Sequence, residues 1–106
     1  MSDFQTTNKY KNMARYITLL TFTDQGARNM KDSTNRAHNF DALAEKSGVR
    51  VAGQYWTMGR FDGVLILEAD SEPKILHLLA GLAASCNVRT ETLQAFSDKE
   101  FDAIAQ

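Results

Sequence analysis

Residues 64–67 read Val-Leu-Ile-Leu and decide the fold of this chain, because no polar side chain alternates with the apolar ones. Successive side chains of a β-strand point to opposite faces of the sheet, so a strand of this kind needs apolar cover on both faces. The stretch therefore predicts a strand over residues 63–69 that is covered on both faces. The segment before it predicts another strand over 49–58, and the residues between them, Gly59 to Asp62, are short enough for a hairpin connection.

The segments further out supply two more strands and two helices. Residues 15–22 and 88–96 are rich in β-branched and aromatic side chains and predict a first and a fourth strand. Residues 27–46 have the apolar spacing of a helix with a weak point inside it, which predicts a short helix, a kink and a longer helix. A second helix begins after Ser71, where an acid and a proline follow the hydroxyl. The order of elements predicts an α+β, ferredoxin-like β-α-β-β-α-β fold, in which a four-stranded antiparallel sheet carries helices on one face.

Helix ends are marked by particular residues. Gly48 is expected to adopt the left-handed conformation that commonly ends a helix. Ser97 and Glu100 have the spacing of a capping box, which predicts a terminal helix over 100–105.

Composition limits the classes of function. The 106 residues are enough for one domain, 14–106, preceded by a polar N-terminal arm, 1–13, that is expected to be flexible. The net charge of -1, with acids and bases interspersed, argues against binding to nucleic acid or to an anionic membrane surface. No apolar run approaches the roughly 20 residues that span a bilayer. A single cysteine, Cys86, excludes an intrachain disulfide, and together with the lack of a signal peptide it predicts a cytoplasmic protein.

Both faces of the predicted sheet are apolar. In the first strand Tyr16 and Leu20 lie on one face, and Ile17 and Leu19 lie on the other. Two helices can cover only one of these faces, and the other would be a larger apolar patch than monomers normally expose. The sequence therefore predicts a homodimer or a higher homo-oligomer, with the sheets of two copies packed face to face.

Several stretches carry a resemblance to a known family. In chain order they are Tyr16-Ile17, Phe22-Thr23-Asp24-Gln25-Gly26, Lys31-Asp32-Ser33 with Arg36, Gly59-Arg60-Phe61-Asp62, and Asn87-Val88-Arg89-Thr90-Glu91-Thr92-Leu93. Through them the segment Ala14 to Phe96 resembles the GYD domain family. One departure is Phe61, which stands where the family has tyrosine and removes any role for a phenolic hydroxyl.

The resemblance implies a ferredoxin-like fold that dimerises through its sheets, as a dimeric α/β barrel. It implies little about activity. The wider superfamily includes cofactor-free monooxygenases, isomerases, haem enzymes and ligand-sensing domains, and a shared fold does not fix a function.

Six residues are candidates for lining a ligand pocket: Tyr55, Trp56, Asp62, Arg89, Glu91 and Thr92. Asp62 has two interpretations. It is a carboxylate at the mouth of a cleft, or it caps backbone amides in a turn for which Gly59 supplies a positive φ. The structural interpretation is the stronger one, because turns need such residues in any case.

The other candidates lie on predicted strands. Arg89 and Glu91 share one face of the fourth strand, and Thr92 lies on the opposite face. Arg89 paired with Glu91 or with Asp62 would fix a dimer, whereas the same groups unpaired would orient a small polar ligand. Tyr55 and Trp56 lie on opposite faces of the second strand. They either pack against other apolar side chains or form an aromatic wall for a ligand.

No other chemical site is indicated. His38 and His77 have no further ligand at metal-binding spacing, so we predict no metal and no cofactor. Three functions stay open. The favoured one is a module that binds a small molecule in a pocket of the homodimer. The second is a cofactor-independent isomerase or monooxygenase-like enzyme with Asp62 or Glu91 as base and Arg89 stabilising an oxyanion. The third is a ligand-free assembly or stress-response protein.

Overall fold

The predicted order of strands and helices is confirmed in a computed structural model, which describes residues 13–106. The elements are β1 (Ala14–Phe22), α1 (Asp24–Arg28), a 3-10 helix (Met30–Asp32), α2 (Ser33–Lys46), β2 (Arg50–Trp56), β3 (Gly63–Ala69), α3 (Glu72–Ala84), β4 (Val88–Ala95) and α4 (Asp98–Ala105). Apart from Met13, the predicted N-terminal arm lies outside the described residues.

The four strands form one antiparallel sheet in the order β2-β3-β1-β4. The two strands of the first β-α-β unit therefore enclose β3, and β1 lies beside β4, as the ferredoxin-like arrangement requires. The sheet is open, with β2 and β4 at its edges. The chain is thus an α+β domain of the predicted class and not a closed barrel.

The predicted helix boundaries follow from local chemistry. The break in the first helical segment is confirmed, because the 3-10 helix separates α1 from α2. Gly48, just beyond α2, has a φ of 78° and reverses the chain as predicted. Ser97 and Glu100 form the predicted capping box at the start of α4. Ser71 precedes α3, but its hydroxyl makes no capping bond there.

The hydrophobic core lies between one face of the sheet and the helices α2 and α3. We call this the covered face. Its most deeply buried side chains include Leu67 of β3, Ala44 of α2 and Leu78 of α3. Thr18 of β1 is fully buried there as well, and its hydroxyl lies 2.9 Å from that of Thr92. The wide apolar stripes of the two helices therefore account for only one face of the sheet.

Across the centre of the opposite face, which we call the open face, no helix of residues 13–106 is packed. Its central side chains are Ile17, Leu19, Val64, Ile66 and Leu93, which the strand register places side by side. Leu93 is 50% exposed. The helix α4 starts on this side, where Glu100 binds Arg15 at 2.9 Å, and its Phe101 and Ile104 are both 62% exposed.

A β-bulge decides which of two neighbouring aromatic residues joins the core side. The register of β2 against β3 shifts between Val51 and Gly53. Beyond the bulge Trp56 pairs with Gly63 on the covered face, and Tyr55 pairs with Val64 on the open face. The predicted separation of the two aromatics is confirmed.

Within residues 13–106 no helix is long and apolar enough to cross a bilayer. The cytoplasmic location stays a prediction.

Candidate functional site

A cavity of about 340 Å³ lies between the covered face of the sheet and the two long helices. It is contained within one copy of the chain. Most of the side chains around it are apolar, with a few polar groups among them. The residues that line it are Leu20, Phe22, Ser33, Arg36, Ala37, Asn39, Phe40, Leu43, Gln54, Tyr55, Trp56, Asp62, Gly63, Val64, Leu65, Leu78, Gly81, Leu82, Ser85, Asn87 and Val88.

The floor of the cavity depends on a glycine in β3. Gly63 lies on the covered face between Leu20 of β1 and Trp56 of β2. A Cβ atom at this position would lie 3.1 Å from the backbone oxygen of Tyr55 and 3.5 Å from Cδ1 of Leu20. Because Gly63 has no side chain, the cavity extends closer to the strand backbone here than at Leu65, the next covered-face position of β3.

The roof comes from one stripe of each helix. Leu78, Gly81 and Leu82 of α3, together with Ser85 directly after the helix, line the cavity at the spacing of one helical face. A Cβ atom added at Gly81 would meet no heavy atom within 4 Å. A leucine or alanine is the usual residue on such a stripe, so the glycine leaves space where a side chain would otherwise fill it.

Asp62 fixes the end of the cavity at the hairpin. Its Oδ2 accepts a 2.8 Å hydrogen bond from the backbone N–H of Phe22, and its own N–H donates to the carbonyl of Leu20 at 2.8 Å. The backbone pairing of β1 with β3 stops at Gly63, so the carboxylate satisfies an amide of β1 that has no strand partner on that side. Asp62 thus caps a backbone amide of the neighbouring strand, and Gly59 has the predicted positive φ, at 105°.

Polar side chains at the same end are held by the segment around the 3-10 helix. Arg36 of α2 donates to the backbone carbonyl of Asn29 at 2.7 Å and to that of Gly26 at 3.5 Å. The indole N–H of Trp56 donates to the hydroxyl of Ser33 at 2.9 Å. These bonds connect the end of β2 to the start of α2 across one side of the cavity.

The turn after β1 packs against the turn before β4. The backbone N–H of Thr23 donates to the carbonyl of Asn87 at 3.1 Å, and its hydroxyl donates to that of Cys86 at 2.6 Å. A Cβ atom at Gly26 would lie 2.0 Å from the carbonyl oxygen of Asn87, so only glycine allows this approach. Four of the stretches that carry the family resemblance contribute residues to this end of the cavity. Among these residues are Phe22, Arg36, Asp62 and Asn87.

The six predicted pocket residues fall into separate groups. Asp62 and Trp56 line the cavity. Tyr55 borders it, but its ring lies on the open face, where a Cβ atom at Gly53 would be 3.1 Å from the ring.

The three candidates of β4 are elsewhere. Thr92 is on the covered face against Thr18 and does not line the cavity. Arg89 and Glu91 pair with Thr21 and Leu19 of β1 and lie on the open face. Neither predicted ion pair of Arg89 is present within residues 13–106. A single pocket within one copy of the chain cannot contain all six residues, because the sheet separates Asp62 from Arg89 and Glu91. Their part in binding stays a prediction.

Sequence reasoning did not find the helix residues of the cavity or its two glycines. Gly81 could have been recognised from the sequence. An isolated glycine inside the apolar stripe of a helix costs about 1 kcal/mol of stability relative to alanine, so it usually has a packing or functional reason. Gly63 could not have been recognised, because a glycine at the start of a strand is common.

Three ionisable groups have pKa values that are clearly displaced. Burial raises the pKa of the Tyr16 phenol, and the charge of Glu72 adds to the effect. The pKa of Asp70 is lowered by its hydrogen bond and ion pair with Lys74. The pKa of Glu100 is lowered by the backbone N–H of Ser97 and by Arg15. None of these three groups lines the cavity. In the described part of the chain no three His, Cys, Asp or Glu side chains are grouped as a metal site would require.

Comparison with known proteins places the chain in a family. The GYD domain model matches residues 16–105. A curated relative is the "Glutamine synthetase and cystathionine beta-lyase binding protein" of Thermus thermophilus, which is 33% identical over 84 residues, covering 78% of this chain and 88% of the relative. No solved structure matches the chain significantly. The chain belongs to the GYD domain family.

Proposed function

We propose that this chain is a small-molecule binding protein that works as a homodimer and holds its ligand between the sheet and the helices α2 and α3. The observation that carries the proposal is the cavity of about 340 Å³ with its largely apolar lining. Protein sites for small molecules typically measure about 300–1,000 Å³ and combine apolar walls with a few polar groups. Asp62 and Trp56 are the predicted pocket residues that we assign to this site.

A second observation supports the same site. Four separate stretches that carry the family resemblance meet at one end of the cavity, although they lie far apart along the chain. Two of them are joined there by the bond from Phe22 to Asp62, and a third is joined through Arg36 to the carbonyl of Gly26. A rigid polar end beside an apolar volume is the arrangement that orients a small ligand.

The test is a variant that fills the cavity without removing a contact. Gly81→Leu adds a side chain to the stripe of α3 that faces the cavity, where a Cβ atom meets nothing within 4 Å. The matched control is Ala80→Leu, which adds the same side chain to the neighbouring position, which does not line the cavity. Each protein is incubated with a metabolite extract, filtered free of excess solute and weighed by native mass spectrometry.

We expect the natural chain and the Ala80→Leu variant to retain the same non-covalent mass, and Gly81→Leu to lose it. Gly81→Leu should melt no lower than the natural chain, because leucine is a better helix former than glycine, and Ala80→Leu should melt close to it, because alanine and leucine are both good helix formers. The absence of bound mass on all three proteins would contradict small-molecule binding. Equal retention by Gly81→Leu would move the ligand to another place on the chain.

The proposed dimer uses the open face. Ile17, Leu19, Val64, Ile66 and Leu93 form an apolar strip there, and no helix of residues 13–106 packs across it. A second copy with the same strip can cover it about a two-fold axis, at a gain of roughly 25 cal/mol for each Å² buried. Arg89 and Glu91 then lie at the margin of the interface, where either can pair with the second copy.

The assembly is tested by a charge on that strip. Ile66→Asp should shift the mass measured by light scattering to that of one chain, because an unpaired charge at an apolar interface is costly. Leu76→Asp is the control, since Leu76 is exposed on α3 away from the open face. A natural chain that is monomeric at all concentrations would contradict the dimer.

A second candidate function is a module that docks on other proteins. The relative from Thermus thermophilus is named as a binding protein for two enzymes, and this chain exposes Phe101 and Ile104 on α4. Purified glutamine synthetase and cystathionine β-lyase can each be tested by biolayer interferometry against the natural chain and Phe101→Asp. Binding that Phe101→Asp abolishes would favour docking, and no binding to either enzyme would argue against it.

A further inference from the structure

The polar groups around the cavity differ in how far their hydrogen-bonding capacity is already used. Arg36 donates to two backbone carbonyls, and Trp56 donates its only N–H to Ser33. Asp62 uses Oδ2 for the amide of Phe22, whereas its Oδ1 has no hydrogen-bond partner among residues 13–106. The Gln54 amide, on the covered face opposite Leu65, is likewise unbonded within the described residues. A carboxylate oxygen is therefore the strongest acceptor that remains available beside the apolar volume.

The charges around the cavity restrict the ligand further. A ligand carboxylate placed at the Asp62 end would face the like charge of Asp62 as well as the opposite charge of Arg36, which already donates to the carbonyls of Asn29 and Gly26. A ligand cation would share the cavity with Arg36, which also lines it. An uncharged molecule meets neither repulsion, and it avoids the cost of desolvating an ion.

We infer that the cavity takes an uncharged, largely apolar molecule with one hydroxyl or N–H group, which donates a hydrogen bond to Oδ1 of Asp62. This inference rests on the proposed small-molecule site and adds the chemical class of its ligand. A hydrogen bond to a charged acceptor is worth more than one between neutral groups, so the donor group should dominate the selection among molecules of equal size.

The test uses three probes with the same ring system. 2-Naphthol is neutral and donates one hydrogen bond, 2-methoxynaphthalene has the same rings without a donor, and 2-naphthoate carries a negative charge. Binding is measured at neutral pH by titrating each probe into ¹⁵N-labelled protein and following the amide signals of Phe22, Asp62 and Gly63. We expect 2-naphthol to bind about tenfold more tightly than 2-methoxynaphthalene, and 2-naphthoate to bind most weakly.

Asp62→Asn tests the assignment to this carboxylate. Its side-chain oxygen can still accept from the N–H of Phe22, so the bond at the strand end is retained, while the remaining position becomes an N–H₂ donor. The preference for 2-naphthol should therefore disappear, and 2-methoxynaphthalene, which offers only an acceptor, should bind at least as well. The fold of the variant is checked by its melting temperature, and the probe series on the natural chain decides the question if the variant does not fold.

The outcomes separate this inference from the proposed function. Equal binding of 2-naphthol and 2-methoxynaphthalene to the natural chain, or tightest binding of 2-naphthoate, would overturn the ligand class and leave the cavity as a binding site. An unchanged preference in Asp62→Asn would remove Asp62 from the site. Failure of all three probes, together with no retained metabolite in the Gly81→Leu experiment, would overturn the proposed function as well.

Discussion

The two faces of the sheet are built from the same strands and similar side chains, but they are stabilised differently. On the covered face Leu67 is fully buried against the helices, while on the open face Leu93 is 50% exposed. The covered face carries the cavity and the fully buried Thr18, whose hydroxyl is hydrogen-bonded to that of Thr92. The open face carries an uncovered apolar strip, with an ion-pair network of Arg15, Glu68 and Glu100 at one end.

The difference shows that apolar pattern alone does not identify a core. The strands present two apolar faces, and the helices of residues 13–106 pack against only one of them. The covered face fixes the stability of a single copy, whereas the open face is available to another molecule. Substitutions on the two faces should therefore change the free energy of unfolding by different amounts, and these changes should depend differently on protein concentration.

The largest expected difference is between Leu67→Ala and Leu93→Ala. Removing the fully buried Leu67 side chain should cost about 2–5 kcal/mol of the free energy of unfolding, because it leaves a cavity in the core. Leu93→Ala should cost about 1 kcal/mol or less at low protein concentration, since half of the side chain is already in contact with water. Urea unfolding of both variants measures the two values.

Repeating the unfolding at high protein concentration tests the role of the open face. If a second copy covers that face, the cost of Leu93→Ala should grow with concentration while that of Leu67→Ala should not. Equal costs at every concentration would contradict the proposed distinction between the faces.

A smaller effect on the free energy of unfolding is expected when the buried hydroxyl of Thr18 is removed. Thr18→Val keeps the shape of the side chain but removes the bond to Thr92, and it should lower the free energy of unfolding by about 1 kcal/mol. Thr21→Val makes the same exchange on the open face and should change it by less than about 0.5 kcal/mol. Chemical denaturation of the two variants checks the difference, and a larger cost for Thr21→Val would count against it.

The covered face should also respond to alkali. Burial, aided by the charge of Glu72, raises the pKa of Tyr16 above its ordinary 10.0, so the folded state keeps the proton longer than the unfolded state. The stability that depends on the neutral phenol is complete below pH 10 and is lost as the pH rises through the raised pKa. Tyr16→Phe should remove this part of the alkaline loss, and Tyr55→Phe, on the open face, should not. Thermal melting as a function of pH distinguishes the two variants.

The smallest effect is expected when the pH is lowered, and it concerns the stability of α4, which starts on the side of the open face. The backbone N–H of Ser97 and the ion pair with Arg15 lower the pKa of Glu100 below its ordinary 4.5. The stabilisation of α4 is present above pH 4.5 and is lost as the pH falls through the lowered pKa. The protection factors of the α4 amides, which are exchange rates corrected for the intrinsic effect of pH, should therefore fall in acid, and in Glu100→Gln they should not depend on this titration. An α4 that is equally protected at pH 3 and pH 6 would disprove this expectation.

Much of the fold could be predicted from local patterns. The broken first helix, the reversal at Gly48 and the capping box of Ser97 and Glu100 depend on residues close together in the chain. The strand β3 followed from its unbroken apolar run, whereas its place in the order of the sheet did not. The candidate site was predicted less well, because Asp62, Arg89 and Glu91 were grouped by chemistry without knowledge of the face on which each strand position lies.

Periodicity and composition were enough to specify the order of strands and helices. They also indicated that the strands carry more apolar surface than the two helices can cover. The place of the cavity and the residues that line it depend instead on how distant segments pack. The bulge between Val51 and Gly53 puts Trp56 on the covered face and Tyr55 on the open one, and the glycines Gly63 and Gly81 line one cavity from the sheet and from α3. Such choices are made by register and by contacts between distant segments, because a one-residue shift in a strand moves every later side chain to the opposite face.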